Sequence, residues 1–191
     1  MNQQLIEKLF LEIIEVGLGL DPKEPNLKDT PKRVAKMYCQ EIFSNVGTEF
    51  HDFKSFPNDK HYEQIIMLDN IEFTSTCSHH FLPFRGLAWL LYIPKPDGVL
   101  IGASKPARLI EHYSKRPQIQ ENLCRQVLLS FVLAIKPQGA MVVMRATHAC
   151  MQCRGVKQGN NAGMTTSALY GNFYEQSVKM EALELIKVSM R

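Results

Sequence analysis

The sequence predicts an α+β fold, and three observations carry that expectation. Helical periodicity opens the chain, β-rich texture takes over from about residue 64, and helical stripes then alternate with further strands to the end. Residues 2–16 place Leu5, Ile6, Leu9, Phe10, Ile13 and Ile14 on one stripe, and Gly17 and Gly19 end the run. A second helix is expected at Asp29-Thr30-Pro31, with Thr30 as N-cap and Pro31 in the first turn, where its missing N–H is harmless. Val34, Tyr38 and Ile42 continue its apolar stripe and leave Arg33 and Lys36 facing elsewhere. Residues 44–60 read as loop. Residues 64–76 read as extended chain. Residues 87–93 and 99–101 read as apolar strands, and the turn residues Pro94-Lys95-Pro96-Asp97-Gly98 between them predict an antiparallel hairpin.

Ser104 is expected to cap a helix reaching about residue 115, with Leu109, Ile110 and Tyr113 on its apolar face. Pro117 is expected to open a longer helix to about residue 136, burying Ile119, Leu123, Val127, Phe131 and Ile135. Pro137-Gln138-Gly139 stops it. Residues 140–151 return to strand, 156–164 form a polar loop, and 174–190 form a last helix. The expected organisation is an N-terminal helical arm (1–60), a central domain (61–173) and a C-terminal helix (174–191).

Composition narrows the function. A net charge of +3 over 191 residues suits an anionic small ligand and lacks the basic stripe of a nucleic-acid binder. The longest apolar runs, such as 127–135, fall short of the roughly 20 residues a membrane span needs, and Met-Asn-Gln-Gln is no signal pattern. No nucleic-acid partner and no membrane are therefore expected, and the expected location is cytoplasmic. The five cysteines (Cys39, Cys77, Cys124, Cys150, Cys153) point to metal binding or inert burial rather than disulfides.

Two distant clusters look like halves of one metal site: Cys77-Ser78-His79-His80 and His148-Ala149-Cys150-Met151-Gln152-Cys153. Thiolate and neutral imidazole are the ligands zinc prefers. Strand alternation would point His148 and Cys150 the same way, while Cys77 and His80 meet one ion only if the chain turns there. A closed structural site would use Cys77, His80, Cys150 and Cys153. An open one would use Cys77, His80 and Cys150, leaving His79 and His148 nearby as proton carriers. Spacing alone favours the closed form. The plainest alternative makes Cys150 a core residue and leaves the histidines solvated.

Beyond these clusters the residues resemble a known family. Thr76-Cys77-Ser78-His79-His80, Tyr92-Ile93-Pro94, Ile101-Gly102-Ala103-Ser104-Lys105, Arg116-Pro117-Gln118-Ile119-Gln120-Glu121, His148-Ala149-Cys150, Arg154-Gly155 and Thr165-Thr166-Ser167-Ala168-Leu169 are similar to GTP cyclohydrolase I. So is Thr30-Pro31-Lys32-Arg33-Val34-Ala35-Lys36-Met37-Tyr38, and the likeness runs from about residue 17 to residue 173. It implies a tunnelling fold (T-fold): an antiparallel sheet backed by two helices, its subunits closing into a homodecamer of two pentamers with active sites at subunit interfaces. It implies hydrolytic opening of the guanine imidazole ring of GTP, giving 7,8-dihydroneopterin triphosphate and formate, with Zn²⁺ as cofactor. Folate, biopterin and modified-guanine pathways share that step.

The same resemblance assigns roles. The metal falls to Cys77, His80 and Cys150, the open form. Proton transfer falls to His148 first and His79 second, imidazoles titrating in the useful range. Glu121 is implied to accept from guanine N1–H and the 2-amino group, with Gln120 beside it; by position alone Glu121 is a first-turn helix acid. Ser104, Lys105, Arg108 and Arg154 are implied around the triphosphate, with Arg33 and Lys36 brought by a neighbouring subunit; each cation alone is more often a solvated charge. Two residues depart from the family pattern: Ser78 replaces an acid, and Cys153 adds a thiol. The rival reading is a non-catalytic, zinc-stabilised nucleotide-binding or assembly protein with the closed site.

Overall fold

Residues 1–159 and 161–190 are described in the structure, a computed structural model that divides into two units, Met1–Val46 and Gly47–Arg191. In the first unit α1 (Gln3–Glu12) is capped by the Asn2 side chain, which accepts from Leu5 N–H at 3.0 Å. Its end widens into a π turn, Ile13–Gly17. The second helix, α2 (Thr30–Met37), runs into another such turn, Tyr38–Ile42. Asp29, not Thr30, is the N-cap: Asp29 C=O takes Arg33 N–H at 3.0 Å, so Thr30 already lies inside the helix. Phe10 meets Tyr38 with ring centroids 5.7 Å apart, while Leu5 and Leu9 stay about half exposed.

The second unit runs β1 (Ser55–Pro57), β2 (Ile66–Cys77), β3 (Pro83–Ile93), β4 (Val99–Ile101), α3 (Lys105–Ser114), β5 (Pro117–Gln118), α4 (Gln120–Ile135), β6 (Gly139–His148), α5 (Ala149–Gln152), β7 (Met164–Gly171), a 3₁₀ turn (Asn172–Tyr174) and α6 (Gln176–Ser189). The main sheet has the order β5-β2-β3-β6-β7, antiparallel except where β5 lies parallel to the end of β2. This is the expected α+β plan, a largely antiparallel sheet backed by α3 and α4.

Alternation explains the unbroken apolar run in β3. Ala88, Leu90 and Tyr92 join Ala140, Val142 and Met144 of β6 on one face, packed with Leu109, Ile110 and Tyr113 of α3 and Leu123, Val127 and Phe131 of α4. Trp89, Leu91, Ile93, Met141 and Val143 face the other way, onto Phe173 and onto Ala182 and Ile186 of α6. A strand buried on both faces shows no polar alternation. Gly86 lets β3 approach β6 closely, since a Cβ there would lie 1.8 Å from Arg145 O.

Four expectations are corrected. The 87–93/99–101 hairpin does not form. Both edges of β3 are already taken by β2 and β6, and β4 pairs instead with β1, a strand inside the expected loop. Asn58 draws it there, donating from its side chain to Lys95 O at 2.9 Å and from its backbone to Gly98 O at 3.0 Å. Pro117 does not open a helix: Pro117 and Gln118 pair with Thr76 and Cys77, and α4 begins at Gln120. The strand ends at His148, where the β-branched run gives way to the helix formers of Ala149–Gln152, closed by Cys153 N–H on Ala149 O at 2.9 Å. Residues 164–171 are a full strand, β7.

Candidate active site

The first cluster sits where β2 turns into β3. Cys77 N–H donates to Leu82 O at 2.8 Å and Phe81 N–H to Cys77 O at 2.9 Å, with Phe81 in the left-handed region at φ 53°. This turn folds His80 back onto the strand end, so that its Nδ1 lies 3.8 Å from Cys77 Sγ. Gln118 holds the turn from the side, its carbonyl accepting from Ser78 N–H at 2.9 Å.

The second cluster arrives at the end of β6. Phe84 pairs with His148 across β3 and β6, and Cys150 follows on the helical turn of α5, partly buried against the same core as Cys77. The ligand atoms of Cys77, His80 and Cys150 all lie within 4.8 Å of one another. A tetrahedral zinc sets its sulfur and nitrogen ligands about 3.6 Å apart, given bonds near 2.3 and 2.05 Å. The 3.8 Å between Cys77 Sγ and His80 Nδ1 fits that demand, and two thiols with one imidazole form a zinc-type donor set. Burial, and then the Cys77 thiol beside it, pushes the Cys150 thiol above its usual range, while the Arg154 charge works the other way. A divalent cation between two such thiols reverses that balance. Cys153 is not in the group; its Sγ donates to Ala149 O at 2.9 Å and is exposed.

Two imidazoles flank the cluster. His79 Nδ1 lies 3.8 Å from Cys77 Sγ, and the ring is exposed. His148 is half-buried, stacked on Phe84 at 4.7 Å and 3°, with Nε2 2.8 Å from Gln120 Oε1. Burial pulls its pKa below the ordinary histidine value, and the Glu121 carboxylate, close enough to act, opposes this in part. Glu121 is exposed in the first turn of α4, which begins at Gln120.

Not every expected residue of the second unit comes to this place. Ser104 is the exposed N-cap of α3, but its hydroxyl makes no cap bond. Lys105 is buried and pairs with Asp52 (Nζ to Oδ2 2.6 Å), whose carboxylate also meets Arg108 at 3.3 Å. These charges lower the Asp52 pKa, the Lys105 hydrogen bond most. It is the other end of α3, Ser114, that ties to β2 near Cys77, its carbonyl accepting from Ser75 Oγ at 2.8 Å. A ten-residue helix is about 15 Å long, so Lys105 lies well away from the thiols. In the first unit, Arg33 donates to Asn26 O at 3.4 Å and to Thr30 Oγ1 at 3.2 Å, and Lys36 is exposed. Phe84 and Asp52 have no signal in the sequence: their parts come from cross-strand register and loop return, which no local pattern marks.

Fold and cluster together define a class: α+β proteins with a Cys/His/Cys ligand group where a sheet strand ends and a second strand arrives beside it. The family model described as GTP cyclohydrolase I matches residues 6–187. The GTP cyclohydrolase 1 of Caldanaerobacter subterraneus subsp. tengcongensis is 42% identical over 188 residues, covering 97% of both chains. Those of Bacillus pumilus and Streptomyces coelicolor are 40% and 38% identical, over 98% and 97% of this chain and 97% and 90% of theirs. The chain belongs to the GTP cyclohydrolase I family. Among solved structures, the archaeosine synthase QueF-Like in the apo form covers 56% of this chain and 94% of its own at 16% identity, with a TM-score of 0.46. Among the described residues no helix is long and apolar enough to cross a membrane.

Proposed function

We propose that this chain opens the imidazole ring of GTP by hydrolysis, giving 7,8-dihydroneopterin triphosphate and formate, with zinc held by Cys77, His80 and Cys150. The observation that supports it most is the convergence of those three ligand atoms within 4.8 Å from two segments 70 residues apart in sequence. When bound, zinc supplies Lewis acidity, bringing the ionisation of a water into the neutral range.

The side chains do the rest. Purine C8 is a poor electrophile, so attack there needs a proton at N7, and C–N cleavage needs another at the departing nitrogen. His148, whose pKa burial pulls down and Glu121 partly restores, is the group that takes up and returns these protons, with His79 as the exposed exchange partner toward water. Glu121 accepts from N1–H and the 2-amino group, which orients guanine and tells it from adenine. Arg154, Lys105, Arg108 and Ser104 hold the triphosphate, and Arg33 and Lys36 add charge from a neighbouring copy. Because Lys105 and the thiols lie at opposite ends of α3, a complete site draws on more than one copy, in keeping with a homodecamer of two pentamers.

The test is direct. Purified, zinc-loaded protein incubated with GTP should release formate and, after oxidation, a fluorescent pterin. No formate and no pterin under zinc-replete, reducing conditions would overturn the reading.

A further inference from the structure

Gln120 opens α4 and is 1% exposed. Its side-chain nitrogen faces three oxygens: Met144 O and Met164 O, each at 3.0 Å, and Thr166 Oγ1 at 3.1 Å. Two of these are carbonyls, which only accept, so the group turned to them is the NH₂. The amide oxygen is thereby left facing His148 Nε2 at 2.8 Å. That oxygen also only accepts, so Nε2 must carry a proton; the other neutral tautomer would set two lone pairs against each other. Phe84 fixes the plane of the same ring from below, 3° from parallel. Both supports are rigidly mounted, Phe84 in register with His148 on the sheet and Gln120 across the paired strands β6 and β7.

We propose that Gln120 is a positioning residue: with Phe84 it fixes the plane of the His148 ring and, through its amide oxygen, the Nε2–H tautomer, which leaves the ring's lone pair on Nδ1. This rests on the hydrolytic reading above and departs from the expected placing of Gln120 among the guanine contacts. Both ends of its amide are engaged within the chain, and neither is left for a base. The neighbouring Glu121, exposed one position along the helix, keeps that task.

Two measurements test it. Neutron diffraction from crystals of the full-length, zinc-loaded protein, grown at alkaline pH where the imidazole is neutral, should show a deuteron on His148 Nε2 directed at Gln120 and none on Nδ1. A deuteron on Nδ1 alone overturns the proposal. In steady-state kinetics Q120M, similar in shape but without hydrogen bonds, should keep its zinc and its KM for GTP within about threefold, while kcat falls roughly 10- to 1,000-fold. Gln120→Glu keeps an acceptor toward His148 but loses the donor toward Met144 O and Met164 O, so it should recover part of kcat only if the variant folds, which circular dichroism checks first. A raised KM at unchanged kcat, or an unchanged kcat in Q120M, overturns the proposal. If Q120M does not fold, the deuteron position and the Glu variant decide. If the unaltered protein turns over no GTP, the hydrolytic reading falls, and the deuteron position still decides the tautomer.

Discussion

The cysteine thiols of this chain differ by their surroundings, and those surroundings set what each can do. Cys124 is buried between α4 and β6, its Sγ donating to Val142 O at 3.4 Å, and burial pushes its pKa up to about 11. At pH 7 about one such thiol in ten thousand is ionised, and only the thiolate reacts. Cys153 is exposed on the last turn after Cys150. Iodoacetamide should therefore label Cys153 first and Cys124 only after unfolding, a mass-spectrometric result that early labelling of Cys124 would contradict. The same contrast separates open from closed metal site. Cys153→Ala should keep one zinc per chain and turnover within about twofold, as surface changes do. Cys150→Ala should lose both, read by metal analysis and pterin fluorescence; loss of zinc from the Cys153 variant would favour the closed form. Donor type marks the two Cys/His clusters in the sequence, but spacing alone favours adding Cys153. The family resemblance singles out Cys77, His80 and Cys150, the three whose ligand atoms lie within 4.8 Å of one another. The clamp on His148 is not legible there, because Phe84 reaches it only through strand register and Gln120 only once α4 starts where it does.

At the level of elements, the pairing of β3 with β6 brings His148 and Cys150 toward Cys77 and His80, and Gly86 permits it. An added Cβ would meet a backbone carbonyl at 1.8 Å, and no side chain could move aside to relieve the clash. Gly86→Ala should cost about 1–3 kcal/mol. The expected fall in Tm is roughly 3–10 °C. Because the strain falls two residues from Phe84 and opposite Ala146, kcat should drop as well; calorimetry showing an unchanged Tm would refute this account of the close approach. The longer helices could be read from periodicity, and β3 as a strand from its unbroken apolar run. What failed to read were pairings decided by competition: β4 finds β3 already flanked and turns to β1, and Pro117-Gln118 is captured as a short strand beside Cys77 before α4 can begin. In β7 Thr165, Thr166 and Tyr170 favour extended chain, but Ser167, Ala168 and Gly171 do not, so local pattern leaves the strand unmarked.

For the whole molecule, the sheet is unfinished at both sides. Among the described residues β7 pairs only with β6, and β2 from Ile66 to Ser75 pairs only with β3, so each edge presents backbone groups of a kind that proteins cover or pair. Leu133, 74% exposed on α4, and Tyr170 on the edge strand add apolar surface. An edge that meets a different edge makes a head-to-tail contact, and such contacts close into rings when the rotation permits. The assembled particle should therefore sediment at about ten times the 21.8 kDa chain, the size the family resemblance implies. The metal and the cations should then part company on dissociation. The three candidate ligands come from one chain within 4.8 Å, whereas Lys105 lies at the far end of α3 from them. Under mild urea or dilution, sedimentation velocity with metal analysis should find smaller species that still carry zinc but no longer turn over GTP, activity falling in step with the assembled fraction. A monomer with full turnover would show that one chain completes the site alone.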